Sequence, residues 1–144
     1  MRLRIDRKSL QRLQKNLMVL TQEVDASLGD AQRQTADAIM RQSVAEIPRR
    51  TGTAALSRYI SEPDIGTESI RTAFGYAPPD NNPINPETGK PASNYIVEIH
   101  EDFTVPLQTG KQKFLEDPLM DHQQTYFRSL DRALHRAFSR AIRG

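Results

Sequence analysis

The stretch 93–119, SNYIVEIHEDFTVPLQTGKQKFLEDPL, does most to restrict how this chain can fold. Its first part reads as a strand. Ile96, Val97 and Ile99 are β-branched and Tyr95 is aromatic, side chains that suit a pleated, half-buried surface. With period 2, Tyr95, Val97 and Ile99 take one face, and Ile96, Glu98 and His100 the other. Glu101-Asp102 close the run, and a polar loop with Pro106 and Gly110 follows. Phe114-Leu115 then drive the chain back to the core. Asp117-Pro118 opens a helix, because Asp is a favoured N-cap and Pro at the first helical position forfeits no hydrogen bond.

The flanks supply partners for this unit. Leu10, Leu13, Leu17, Leu20, Val24 and Leu28 recur at spacings of three and four, a helical stripe close to a heptad. Ser9 is its expected N-cap. The stripe is under three heptads long, which favours packing on the domain's own sheet over a long zipper. Gly29-Asp30 reads as a break between this helix and a second, with Ala36, Ile39, Met40, Ser43, Val44 and Ile47 on one side. Pro48 ends that helix. Thr51-Gly52 is a turn, and Leu56, Tyr59 and Ile60 form a short strand or helical turn. Residues 68–76 predict a strand, with Gly75 marking a bulge. Residues 77–93 hold five prolines and read as a finger loop projecting between two paired strands. The last helix, 117–144, carries Phe127, Leu130, Leu134, Ala137 and Ala141 as its core stripe, beside Tyr126, Ala133 and Phe138.

Composition limits the function classes. A chain of 144 residues is long enough for one domain with a real core. It has no cysteine, hence no disulfide framework, thiol nucleophile or Cys-based metal site. No apolar run approaches the ~20 residues that span a bilayer, and the cations at the start precede no apolar segment of a signal peptide. Cytosolic synthesis is the expectation. The net charge of +2 conceals a pattern. Residues 1–50 hold ten Lys and Arg against six Asp and Glu, residues 51–127 five against eleven, and residues 128–144 five against one. Basic ends around an acidic middle suit either solvated helix faces or a particle that stacks on a complementary neighbour.

Catalytic patterns are missing. His100, His122 and His135 fall in no metal-binding motif, no serine lies in GxSxG, and Thr88-Gly89-Lys90 and Gly110-Lys111 lack P-loop spacing. Neither enzyme chemistry nor a cofactor is expected. Arg49-Arg50 and the C-terminal arginines are candidates for sequence-independent phosphate contact, so a nucleic-acid-binding or regulatory protein is the alternative reading.

Three motifs occur in order: Pro48-Arg-Arg-Thr-Gly52 with Leu56 following; Gly75-Tyr76, then Asn94-Tyr-Ile-Val-Glu-Ile-His-Glu101; and Gly110-Lys-Gln-Lys-Phe-Leu-Glu-Asp-Pro-Leu119. Together, over roughly residues 35–135, they resemble the small neck proteins of long-tailed bacteriophages, the head–tail joining or tail-completion family. The resemblance implies a structural virion protein without catalysis, forming a homo-oligomeric ring of six subunits, with twelve as the alternative. Its implied neighbours are other neck, head-closure and tail-tube proteins, with genomic DNA passing nearby without specific binding and no membrane involved. The expected architecture is one α+β domain over 1–144. It comprises a helical arm (1–47), a small antiparallel sheet (48–116) with the finger loop 77–93, and a long C-terminal helix (117–144) packed on the sheet. Phe114 and Leu115 are the expected core anchor. The expected interface residues are Arg132, Arg136 and Arg140, four apart on one helix face, and Pro78, Pro79, Asn81, Asn82 and Pro83 on the finger.

Overall fold

A computed structural model describes residues 6–143 apart from 105 and 108. The first five residues, whose cations entered the targeting argument, and Gly144 at the end of the expected last helix lie outside the described residues. The architecture is α+β: a long N-terminal helix, small antiparallel strand pairs with a long loop, and a long C-terminal helix.

Helix α1 spans Arg7–Glu46, 40 residues and about 60 Å long. Its N-cap is Asp6, whose carboxylate accepts from the Lys8 N–H, rather than Ser9. The break expected at Gly29-Asp30 is absent. Gly29 is buried in mid-helix because Pro63 packs onto it; a Cβ there would stand 3.2 Å from the Pro63 Cβ. Close packing, not helix termination, explains this glycine. Pro48 does stop the helix, holding Ile47 in the extended region. Arg49 reaches back to donate to the Val44 carbonyl at 2.7 Å, satisfying one of the last turn's free acceptors.

A short helix, α2 (Thr53–Leu56), follows the turn at Gly52, whose φ is +78°. Two antiparallel ribbons come next: β1 (Arg58–Ile60) pairs with β4 (Phe74–Tyr76), and β2 (Asp64–Ile65) with β3 (Ile70–Arg71). The strand expected over 68–76 is therefore divided between two ribbons. Tyr59 opposite Gly75 explains that glycine, since the tyrosine ring lies over it.

The strand expected at 95–100 is instead helix α3, Ser93–Glu101. Tyr95, Ile96, Ile99 and His100 are partly buried while Val97, Glu98 and Glu101 are exposed, the i, i+1, i+4, i+5 signature of one helix face. Consequently the loop 77–93 joins a strand to a helix and is no finger between paired strands. It is held by its own bonds. Asn82 donates to the Ser93 hydroxyl at 2.7 Å and accepts the Ser93 N–H at 3.0 Å, Ile84 bridges Pro91, and Ala92 is fully buried.

Helix α4 spans Glu116–Arg143, beginning one residue before the expected Asp117 cap. It runs antiparallel to α1, as contacts of Asp121 with Gln42, Ser129 with Thr35 and Arg140 with Glu23 show. Ala133 and Ala137 are fully buried on its inner face, letting the two backbones approach closely. Phe127 and Phe138, expected in or beside the core stripe, are exposed. The inner face is rotated toward the small residues. Between α1, β3, β4 and α4 lies a cleft of about 500 Å³. Gln32 spans its wall, donating to the Ile70 carbonyl at 2.9 Å and accepting from the Thr72 hydroxyl at 3.1 Å.

Candidate functional site

The three motif segments, distant in sequence, meet around one side chain. Phe114 is fully buried with Ile47 and Ala54, and Tyr76, Tyr95, Ile96, Ile99 and Leu115 pack around this group. The Tyr76 and His100 rings each meet Phe114 edge to face, at centroid distances of 5.6 and 4.8 Å. Leu115 is half-buried at the margin.

Backbone and charge tie the same segments together. Thr109 accepts the Arg49 N–H at 2.9 Å and donates to the Arg49 carbonyl at 3.1 Å. Lys111 donates its backbone N–H to the Glu46 carbonyl at 2.9 Å, while its ammonium reaches Asp117 at 2.9 Å and Glu46 at 3.1 Å. Hydrogen bonds to Asp117 first and Glu46 second hold its pKa above the usual lysine value. Lys113, in the left-handed backbone region at φ +56°, places its ammonium 2.5 Å from Glu101 and 2.8 Å from Glu116. Glu101 is in turn pushed below the usual carboxylate range, by Lys113 first and then by His100, whose Nδ1 lies 2.6 Å away. These ion networks were not foreseen. The signal for them was the alternation of Lys111 and Lys113 shortly before Glu116-Asp117.

A pair of hydroxyls, buried Ser43 and half-buried Tyr76, also bears on the site. Ser43 and Tyr76 share a 2.7 Å hydrogen bond between α1 and β4. Burial raises the Tyr76 pKa, and the Ser43 bond only partly opposes that. Among the described residues no group of three or more acidic, His or Cys side chains is placed to hold a metal ion. No helix among them is long and apolar enough to cross a membrane.

The expected interface residues fall into two distant groups. Arg132, Arg136 and Arg140 are exposed on α4. Arg140 already lies 3.5 Å from Glu23 of α1, and the Arg132 Nε donates to the Arg128 carbonyl at 3.3 Å. On the loop, Pro79 and Asn81 are exposed, whereas Pro78, Asn82 and Pro83 are half-buried. Asn81 donates to the Leu56 carbonyl at 3.2 Å, and Pro83 accepts the Ala92 N–H at 3.0 Å. The loop packs near the C-terminal end of α1, where Arg50 pairs with Glu87 at 2.7 Å. The arginine face sits near Glu23, at most roughly 35 Å away along α1. The fold therefore does not unite them in one surface.

One surface escaped the sequence reading. Leu10, Leu13 and Leu17, expected to pack on the sheet, are 45, 54 and 52% exposed. They lie on α1 beyond the end of α4 and about half of each is left uncovered by the described residues.

Comparison with known proteins finds no matching family model, no matching curated protein and no matching solved structure.

Proposed function

We propose that this chain is a structural virion protein of the neck of a long-tailed bacteriophage, a ring-forming head–tail joining or tail-completion subunit. The observation that carries the reading is the convergence of the three motif segments on Phe114. They form one structural unit: a helix end, a turn, a ribbon, a short helix and the entry to α4. The large apolar side chains left exposed on α1, α3 and α4 also suit a subunit built to be covered by neighbours. The ring has six subunits, with twelve as the alternative. Its neighbours are other neck, head-closure and tail-tube proteins, and DNA passes without specific binding. The arginine face of α4, beside the middle of α1, and the exposed part of the loop, at the C-terminal end of α1, serve different neighbours.

The reading is tested by electron microscopy of purified protein and of virions in which the protein carries a label. Rings in the purified sample, label at the head–tail junction, and unjoined heads and tails when the protein is missing are expected. Label elsewhere in the infected cell, with normal joining in its absence, would overturn the assignment.

A further inference from the structure

We infer that the free end of α1, residues 7–19, lies in the groove between α3 and the β1–β4 ribbon of a second copy of this chain, in head-to-tail contact. This deepens the ring reading above and rests on it for closure of the ring.

The arm's character states what it needs. Leu10, Leu13 and Leu17 form an apolar stripe, flanked by the exposed Met18 and Val19. Within 7–19 the charged residues are Arg7, Lys8, Arg12 and Lys15, with no carboxylate. Its cover must be both apolar and acidic.

Charge excludes two rival surfaces on a second copy. Arm against arm would set four cations against four. The exposed apolar side chains at the end of α4, Phe138 and Ile142, stand among Arg132, Arg136, Arg140 and Arg143. Like charges facing each other across an interface disfavour both arrangements.

The α3 groove has the required character. It holds about 300 Å³ between Tyr59, Gly75, Ile96, Val97 and Leu115. Val97 at its lip is 69% exposed, and so is Phe103 just past the end of α3. Glu101 lines it, already partly neutralised by Lys113, and the exposed Glu98 and Asp102 lie beside it on α3 and at its C-terminal cap. Leucines enter the groove while Arg12 and Lys15 meet Glu98 and Asp102.

Geometry rules out the chain's own arm as the occupant, so the arm must come from a second copy. Phe114 and α3 pack at the C-terminal end of α1, beside Ile47. The arm is the opposite end of the same continuous helix, roughly 40–60 Å away. A chain cannot cover its own groove. A contact between two different patches is heterologous, and repeating it generates a closed ring or an open filament.

The chain has no cysteine, which allows a clean test in the full-length protein. L13C and V97C are placed singly and together, both at exposed positions. Under mild oxidation the L13C/V97C protein should give a ladder of dimers, trimers and larger species. A mixture of the two single variants should give only the mixed dimer. Independently, R12E/K15E should weaken self-association about tenfold or more, and adding E98K should restore most of it. Dimers from L13C alone would overturn the inference in favour of arm–arm pairing. Absence of cross-links while rings persist would overturn it and leave the ring reading intact. A protein that stays monomeric without cross-links would also overturn it, while the neck assignment is judged by labelled virions.

Discussion

At the scale of single residues, the junction of α1 with the 102–115 loop depends on a missing side chain. Gly110 has φ +75°, and a Cβ there would stand 2.5 Å from the Glu46 carbonyl oxygen, 2.6 Å from the Pro48 nitrogen and 2.7 Å from the Ile47 carbonyl carbon. All three are backbone atoms at the end of α1, so none can swing aside. Gly89 has a similar φ of +69° but open space around it. Gly89→Ala should therefore cost only the left-handed strain, about 1 kcal/mol, while Gly110→Ala adds the clash and should cost about 3 kcal/mol or more. Urea titration of both proteins measures the difference; equal losses would show that the loop moves off α1 freely. The Ser43–Tyr76 pair gives a second test. Burial raises the Tyr76 pKa, so the folded protein keeps this phenolic proton to higher pH than the unfolded chain. Its contribution to stability is complete below the ordinary tyrosine value, about 10, and is lost as pH rises from there toward the raised folded value. Tyr76→Phe should cost about 1–2 kcal/mol at pH 7, because Ser43 is left buried without its partner. That deficit should shrink between pH 9 and pH 11. A constant gap in urea midpoints across this range would mean that the phenol is solvated.

Among the elements, the legible ones were those with long 3.6-residue periodicity, α1 and α4, together with the stop at Pro48 and the turn at Gly52. What misled was short-range. In residues 95–99 an apolar run with alternating charge satisfies period 2, but Tyr95, Ile96 and Ile99 equally form one helix face, and a run this short cannot decide. Contact with Phe114 decides it, and that contact comes from 15 to 19 residues away in sequence. Gly29 misled for a similar reason, since Pro63 lies 34 positions on. On α4, Phe127 falls on the core stripe by spacing, yet it is exposed, and close helix approach buries Ala133 and Ala137. The loop 77–93 read as a projecting finger from its prolines, but Asn82 ties its first half to its end at Ser93. Asn82→Ala removes both bonds and should cost about 1–2 kcal/mol. Hydrogen exchange at Ser93 and the following amides of α3 should quicken by about tenfold, with α1 and α4 unchanged. Unchanged exchange in α3 would show that the helix start does not depend on the loop.

Over the whole molecule, charge is arranged by region: cations at the free end of α1 and along the end of α4, carboxylates around α3 and the ribbons. The sequence made this division visible, but not that the helices would run antiparallel and bring the end of α4 beside the base of the arm. Nor could it separate the arginines by use. Arg140 is engaged with Glu23, whereas Arg132 and Arg136 form no ion pair among the described residues. In the proposed neck role the subunit surrounds a DNA channel and must let the genome slide, so its cations should answer acidic protein neighbours and not grip phosphate. Duplex binding by the isolated protein should then be weak at ~0.15 M salt, where the Debye length is about 8 Å. The variant Arg132→Glu/Arg136→Glu keeps Arg140 for Glu23. It also relieves repulsion within the α4 arginine row, so its folding stability should stay within about 0.5 kcal/mol of the parent. It should nevertheless fail to dock in the neck, leaving heads and tails unjoined. The decisive comparison sets virion joining beside a duplex titration for parent and variant. Submicromolar duplex affinity in the parent, lost in the variant while joining proceeds normally, would assign the arginine face to phosphate and favour a sequence-independent nucleic-acid-binding protein instead.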